Sequence, residues 1–294
     1  VTPETLSKED VARMMRVLEG VELRGQMNTP DNDVIEHVRY AIRQGHPQIQ
    51  MRNPQHDRIA LVGSGPTLKD TEKELVALLH EGAKLVTTNG AYAWCLERNL
   101  RPSAQIVLDS RESTARFLQP EVSRCRYYAA SQCHPSVWEA LKGREFVGIF
   151  HAASPDGDSQ IKTVPDEYYR GRWQGVPGGT TVMTRAIGLL RLMGYLRFDL
   201  FGVDCCWIGD EHHAFPQKEN ERDRKIRISI TPTDETEGRE FYCAPWMLKQ
   251  LEDFLQMIRM MGDHFSLSVH GDGLLAYAIH RAAGASAQVT EGVA

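Results

Sequence analysis

The sequence predicts an α/β fold: a Rossmann-like, mostly parallel sheet with helices on both faces, preceded by a small helical N-terminal segment. From residue 59 onward, short apolar runs alternate with amphipathic helical patterns, the signature of repeated βα units. The first run, Ile59-Ala-Leu-Val62, breaks into Gly63-Ser-Gly-Pro-Thr67 and then into a helical pattern, a strand-to-loop-to-helix transition. With 294 residues, 41% hydrophobic and 25% charged, the chain can also bury a sizeable core.

The elements follow in order. Residues 1–57 read as helical: Ser7 and Asp10 have capping-box spacing ahead of Val11, Met14, Met15 and Leu18, and Val34, Val38 and Ile42 repeat every four residues. Pro47, Asn53 and Pro54 mark 46–57 as a linker, so a nucleotide-binding domain is expected over 58–283. Strands are predicted at 59–62, 84–87, 104–108, 126–130 and 146–150, with helices at 68–81, 90–98 and 111–118. The polar, aromatic-bearing stretch 154–174 reads as a loop over a site. Helix 180–193 opens after Pro177-Gly-Gly-Thr-Thr181 and carries Val182, Ala186, Leu189 and Leu190 on one side; strand 198–203 follows. Residues 208–240 are polar and too long for a simple connection, which suggests a mobile lid. Helix 245–261, strand 265–269 and helix 272–282 close the fold, and 284–294 is a small-residue tail expected to fray.

Composition narrows the function classes. A net charge of −5 argues against a generally basic nucleic-acid surface, although Arg222, Arg224, Lys225 and Arg227 leave a local phosphate contact open. No apolar stretch reaches the ~18 residues of a membrane span, and no signal-peptide core is present, so a cytoplasmic protein is expected. The six cysteines have no paired or zinc-ligand spacing and read as reduced structural thiols. Oligomeric state is open, a homo-oligomer included.

Candidate site residues fall in loops at carboxyl ends of predicted strands, where open α/β sheets bind ligands. Gly63, Ser64, Gly65, Pro66 and Thr67 form a nucleotide cradle: glycine admits close backbone approach, Pro66 suits a first helical turn, and free N–H groups favour an anion. The loop lacks the third glycine of the dinucleotide fingerprint and the Lys-Ser/Thr of the P-loop. Asn89 offers an amide to a base or ribose, or caps a helix, and Gly90 lets that helix start close by. Gly179, Thr180 and Thr181 make a second glycine-rich helix start. Asp109 suits a divalent cation such as Mg²⁺, a ribose hydroxyl, or an ion pair with Arg111. Asp204, His212 and His213 form another group, in which a histidine serves as general base or phosphate ligand and Asp210 and Glu211 flank it. His270 and Asp272 reach the same crevice, or Asp272 is a helix cap. Ser136, Ser154 and Cys133 lack a nucleophile-elbow context.

Three motifs, Leu61-Val-Gly-Ser-Gly-Pro-Thr-Leu68, Thr88-Asn-Gly-Ala91 through Val107-Leu-Asp109, and Gly178-Gly-Thr-Thr181 through Phe201-Gly-Val-Asp204, resemble the MptE-like superfamily. That superfamily includes 6-hydroxymethylpterin diphosphokinases and motility-associated flagellin glycosyltransferases. Gly202-Val-Asp204 with Ala214-Phe215 and Lys218-Glu-Asn220 is also similar to the bacterial family 42 sialyltransferases, as is Leu267 to Ala276. The resemblance implies phosphates near Gly63 to Thr67, a base or ribose near Asn89, and a CMP-activated donor in the sialyltransferase case. Where a sialyltransferase would place its catalytic histidine, this chain reads Phe241-Tyr-Cys-Ala-Pro245, and His213 sits where a lid tyrosine is expected.

The resulting expectation is a glycosyltransferase that moves a sugar from a nucleotide-sugar donor, with CMP-linked donors among the options, to an acceptor the sequence does not identify. His212 or His213 would act as base or hold the leaving phosphate; Asp109, with Mg²⁺ as an option, and Asp204 would orient donor and acceptor. The alternatives are an ATP-dependent diphosphokinase acting on a hydroxymethyl group of a pterin or modified pyrimidine, and a nucleotide-binding module without catalysis. Gly65→Val is expected to abolish nucleotide binding by steric clash.

Overall fold

The structure, a computed structural model, describes residues 29–152, 160–217, 223–230, 238–261, 265–280 and 287–290. The capped helix expected near Ser7, and Ser154, lie outside the described residues. In chain order the elements are α1 (Asp31–Arg43), β1 (Gln55–Val62), a 3₁₀ turn (Pro66–Lys69), α2 (Glu72–His80), β2 (Lys84–Thr88), α3 (Ala91–Glu97), β3 (Ala104–Val107), a 3₁₀ segment (Glu112–Leu118), β4 (Arg126–Ala130), α4 (Pro135–Leu141), β5 (Val147–Phe150) and α5 (Gln160–Tyr169). There follow α6 (Val182–Leu192), β6 (Tyr195–Phe201), β7 (Ile226–Ile230), β8 (Arg239–Cys243), α7 (Pro245–Met261), β9 (Ser266–Val269), α8 (Leu274–His280) and β10 (Ala287–Thr290).

Seven strands form one sheet in the order β5-β4-β3-β2-β1-β6-β9. The β2–β3, β3–β4, β4–β5 and β6–β9 pairings are parallel, in registers such as Ala104↔Arg126 and Arg197↔Ser266. The fold is therefore α/β and Rossmann-like, as the alternating pattern predicts. The sheet grows outward from β1 to β5, then reverses and adds β6 on the other side of β1. Such a reversal is where open α/β sheets bind ligands, at the strands' carboxyl ends.

The chain forms two compact units, each discontinuous in sequence. The first holds Val62–Glu81 and the described residues from Arg197 onward; the second holds 29–61 and Gly82–Leu196. In the first, α7 buries Met247, Leu248, Leu251, Phe254, Leu255 and Ile258 at helical spacing, and β6 buries Phe198, Leu200 and Phe201. In the second, the stripe Val34, Val38, Ala41 and Ile42 of α1 is buried, and Tyr92, Tyr127 and Trp138 are the largest enclosed side chains. Among the described residues no helix is long and apolar enough to cross a membrane.

Several local expectations change: the stretch 154–174, read as a loop, carries helix α5 (Gln160–Tyr169), and within the tail 284–294, expected to fray, Ala287–Thr290 is strand β10. The segment predicted as a helix over 111–118 is a 3₁₀ segment; Gln105 Nε2 and Arg144 Nη2 donate to the Phe117 and Leu118 carbonyls at 2.9 and 2.7 Å, so side chains cap its last turn. The helix predicted over 68–81 splits into the Pro66–Lys69 turn and α2, because Thr67 is tied elsewhere, as described below. Within 208–240, Ile226–Ile230 is a strand that buries Ile228 and Ile230, pairs antiparallel with β8, and takes residues 287–290 on its other edge. Its isoleucine alternation is short and flanked by charge, and its partners lie far along the chain.

His151, at the carboxyl end of β5, illustrates what burial does to a titratable group. It is 2% exposed, sits edge-on to Tyr169 and Trp173 at 5.4 and 5.3 Å, and both ring nitrogens lack a hydrogen-bond partner among the described residues. Burial pushes its pKa down from 6.5 to about 4. A histidine lowered in the folded state contributes its full stability above the unfolded pKa of 6.5 and loses it as pH falls through 4. His151→Phe keeps an aromatic ring and removes the unpaired nitrogens; we expect about 1–3 kcal/mol of added stability. In thermal melts, the variant should lose the part of the decline between pH 6.5 and 4 that this group contributes; an unchanged pH profile would show that the imidazole is not titrating there.

Candidate active site

In the first unit, three loops meet at the ends of β1, β6 and β9. The glycine loop is closed onto β6: Gly63 N–H donates to the Phe201 carbonyl and Gly65 N–H to the Gly202 carbonyl, each at 2.8 Å. Thr67 donates its N–H to Asp204 Oδ2 at 3.0 Å and its hydroxyl to Asp204 Oδ1 at 2.5 Å. Gly271, at φ +105, covers the far side of Thr67; a Cβ there would lie 2.3 Å from Thr67 Oγ1, so a side chain has neither the backbone angle nor the space. Asp204 is 4% exposed, its carbonyl accepts the Leu275 N–H at 3.1 Å, and Cys206 Sγ accepts the Leu274 N–H at 3.2 Å.

This arrangement revises the cradle. The amides of Gly63, Gly65 and Thr67 are spent inside the protein, and Asp204 ties the loop down rather than facing a substrate. Among the described residues, Ser64 is the loop residue whose N–H and hydroxyl have no protein partner. Desolvation raises the Asp204 pKa to about 6, against the two hydrogen bonds from Thr67, which lower it.

The histidines are seated on this loop. Ala214 N–H donates to the Ser64 carbonyl at 2.8 Å, and Lys69 Nζ bridges both Glu211 oxygens at 2.8 Å, so residues 211–214 lie along 64–69. The His213 ring packs tilted against His212 at 4.3 Å, His212 packs tilted against Trp207 at 4.4 Å, and Lys225 Nζ lies 4.3 Å over the Trp207 ring. Trp207 N–H donates to the Tyr242 carbonyl at 2.7 Å, which anchors this ladder to β8. Sequence reasoning did not single out Trp207, and it named Lys225 only within the basic run left open to a phosphate contact.

His270 and Asp272 are committed elsewhere. His270 Nδ1 lies 2.7 Å from Glu74 Oε2 and Nε2 3.0 Å from Asp199 Oδ1, with the ring stacked on Phe201 at 4.1 Å. Burial by itself would lower the His270 pKa; the hydrogen bonds with Asp199 and Glu74 together outweigh it and raise it. Asp272 pairs with Arg239 at 2.6 Å.

The second unit holds the other sequence-predicted residues. Asn89 adopts φ +43, its carbonyl accepts Gln105 Nε2 at 2.9 Å, and its side-chain Oδ1 is buried with no partner among the described residues. Gly90 stands at the N-cap of α3. Asp109 is held by Arg111: Oδ1 accepts the Arg111 N–H at 3.0 Å and Oδ2 accepts Nε at 2.9 Å and Nη2. With both oxygens so engaged, Asp109 does not fit a metal, and among the described residues no group of three His, Cys, Asp or Glu is placed to hold one. Thr181 is the N-cap of α6, and Arg185 folds back with Nε on the Gly179 carbonyl at 2.9 Å and Nη1 on the Val176 carbonyl at 2.5 Å. Thr180 lies between them and is exposed.

Comparison with known proteins agrees with this fold. The MAf glycosyltransferase of Magnetospirillum magneticum AMB-1 superposes with a TM-score of 0.64 at 16% identity, over 85% of this chain and 38% of that one. The chain thus spans well under half the length of that enzyme. A mammalian sialyltransferase in complex with Gal-β-1-3GalNAc-ortho-nitrophenol is more distant, with a TM-score of 0.36 at 13% identity over 74% of this chain and 79% of that one. No curated protein matches the sequence. Residues 34–210 match the model of one family, and by that match the chain belongs to the 6-hydroxymethylpterin diphosphokinase MptE-like family.

Proposed function

We propose that this chain is a glycosyltransferase that takes a sugar from a nucleotide-activated donor. The observation that carries the reading is the Ala214 N–H to Ser64 carbonyl bond, which seats His212 and His213 on the glycine loop where the sheet order reverses. The fold shared with the MAf glycosyltransferase supports it.

Ser64 contacts a donor phosphate through its N–H and hydroxyl, Asp204 and Thr67 keep the loop in shape, and His212 or His213 accepts the acceptor's proton or holds the departing phosphate. Asn89, Gly90 and Gly179 to Thr181 are proposed as nucleotide contacts to be tested one by one. Positioning and the neutralisation of developing phosphate charge supply the rate enhancement. Positioned proton transfer contributes on the order of 10²–10⁴-fold. His213→Ala and His212→Ala are therefore expected to bring down donor turnover, read as nucleotide release, by ~10²-fold or more in at least one variant. Equal release by both variants and wild type would remove the histidines from the reaction.

The family description favours a second reading, an ATP-dependent diphosphokinase. Thermal melts with CMP, UDP, GDP, ADP and ATP, each with and without Mg²⁺, separate the two, since a ligand at ~100 times its dissociation constant adds ~2.7 kcal/mol. Stabilisation by CMP or another sugar-donor nucleotide supports the glycosyltransferase. A response confined to ATP with Mg²⁺ replaces it with the diphosphokinase, and binding without turnover leaves a nucleotide-binding module.

A further inference from the structure

We propose that His270 is a proton-operated latch on the glycine loop: as an imidazolium it ties α2 to the end of β9, and loss of one proton frees α2 while the ring stays bonded to Asp199. Both ring nitrogens face carboxylates, Nδ1 lying 2.7 Å from Glu74 Oε2 and Nε2 3.0 Å from Asp199 Oδ1. A neutral imidazole has a single N–H, so one nitrogen would turn a lone pair on a carboxylate oxygen at hydrogen-bond distance. The doubly protonated ring donates to both, and its positive charge sits between two negative ones. Stacking on Phe201 at 4.1 Å fixes the plane of the ring.

The latch reaches the loop from two sides. On one, the Thr71 hydroxyl donates to the Thr67 carbonyl at 3.0 Å, so α2, which carries Glu74, continues directly from the glycine turn. On the other, His270 N–H donates to the Leu200 carbonyl at 2.9 Å and opens the turn that closes over the loop. That turn lays Gly271 on Thr67 and Gly273 on Asp204, where a Cβ would lie 2.6 Å from Asp204 Cα, and Leu275 N–H bonds the Asp204 carbonyl at 3.1 Å. His270 is therefore a positioning residue, joining the helix that leaves the glycine loop to the turn that covers it. The inference rests on these contacts and not on the nucleotide reading.

The charged groups that act on the ring are Asp199 of β6, 1% exposed, and Glu74 of α2, which is exposed; Asp272, on the turn itself, is paired with Arg239. Burial opposes the charge of the ring, and the hydrogen bonds with Asp199 and Glu74 outweigh it, so the pKa lies above 6.5. Stability from the latch is thus complete below pH 6.5 and is lost as pH rises through that raised pKa. The proton that leaves for solvent is the one on Nδ1, because Glu74 can turn to water whereas buried Asp199 would be left facing a lone pair. Asp204, beside the same loop, titrates at about 6.

The test follows the full chain by NMR as pH is raised. The His270 ring is expected to titrate above 6.5. Exchange protection of the Leu75 amide in α2 and of the Leu275 amide beyond the turn, corrected for hydroxide catalysis, is expected to fall about 3-fold or more through the same titration. Glu74→Gln, at an exposed position, keeps the contact in either ring state, since its amide accepts from the imidazolium and donates to the neutral ring. Any change that comes from Asp204 is common to both proteins, so the fall present in wild type and missing in Glu74→Gln reports the latch. The proposal is overturned if the ring titrates at or below 6.5, if protection stays level through its titration, or if Glu74→Gln shows the same fall as wild type.

Discussion

Gly65→Val is expected to destabilise the protein by about 3 kcal/mol or more, with no ligand present. A Cβ at Gly65 would lie 2.3 Å from Asp204 Oδ2 and 2.8 Å from the Gly202 carbonyl oxygen. Neither neighbour can retreat cheaply. Gly202 is held by the Gly65 N–H itself at 2.8 Å, and Asp204 is pinned by both Thr67 donors. The sequence predicts that this substitution blocks a nucleotide; the structure moves the clash inside the protein, between the glycine loop and the end of β6. Denaturant unfolding of the unliganded variant checks this. Wild-type stability combined with lost nucleotide binding would restore the ligand clash as the cause.

Asp204→Ala should also cost several kcal/mol, because the Thr67 N–H and hydroxyl would be left buried without an acceptor, at roughly 1–3 kcal/mol each. The acid itself carries a cost at neutral pH. Its pKa is raised from 3.8 to about 6 by desolvation, so the folded state binds the proton more tightly than the unfolded chain. Stability from this group is therefore present below pH 3.8 and is lost as pH rises through 6. The loss is on the order of 3 kcal/mol. Asp204→Asn should remove that slope, while its Oδ1 accepts the Thr67 N–H and its NH₂ donates to the Thr67 hydroxyl oxygen, so that both contacts are kept with one of them reversed. Unfolding free energies of wild type and Asp204→Asn between pH 4 and 7 decide the point: parallel curves would mean that Asp204 is not the titrating group.

Legibility in the sequence followed the range of the interaction. Strand β4 and helix α7 appear at their predicted residues, and the other predicted strands of the main sheet shift by a few residues at most, because apolar runs and helical spacing are local. The strand at 226–230 was not, because its stability comes from pairing with Arg239–Cys243 and 287–290 rather than from its own five residues. The same division runs through the candidate site. Glycine spacing marked 63–67 as a place of close approach, and strand-end acids and histidines marked 204, 212 and 213.

The sequence by itself determined the α/β class, the order of the main elements and which loops end the strands, since each rests on residues within a turn or two of one another. Only the tertiary structure decided what those residues face. Thr67 and Asp204 are 137 positions apart, so no local pattern announces that the acid secures the glycine loop. Ser64 and Ala214, or His37 and His134, meet only when strands and helices pack, and it is packing that leaves Ser64 open, His151 unpaired and His270 bound between two carboxylates. Desolvation and hydrogen-bond partnership are properties of that three-dimensional neighbourhood, and they set the charge and reach of every group in the site.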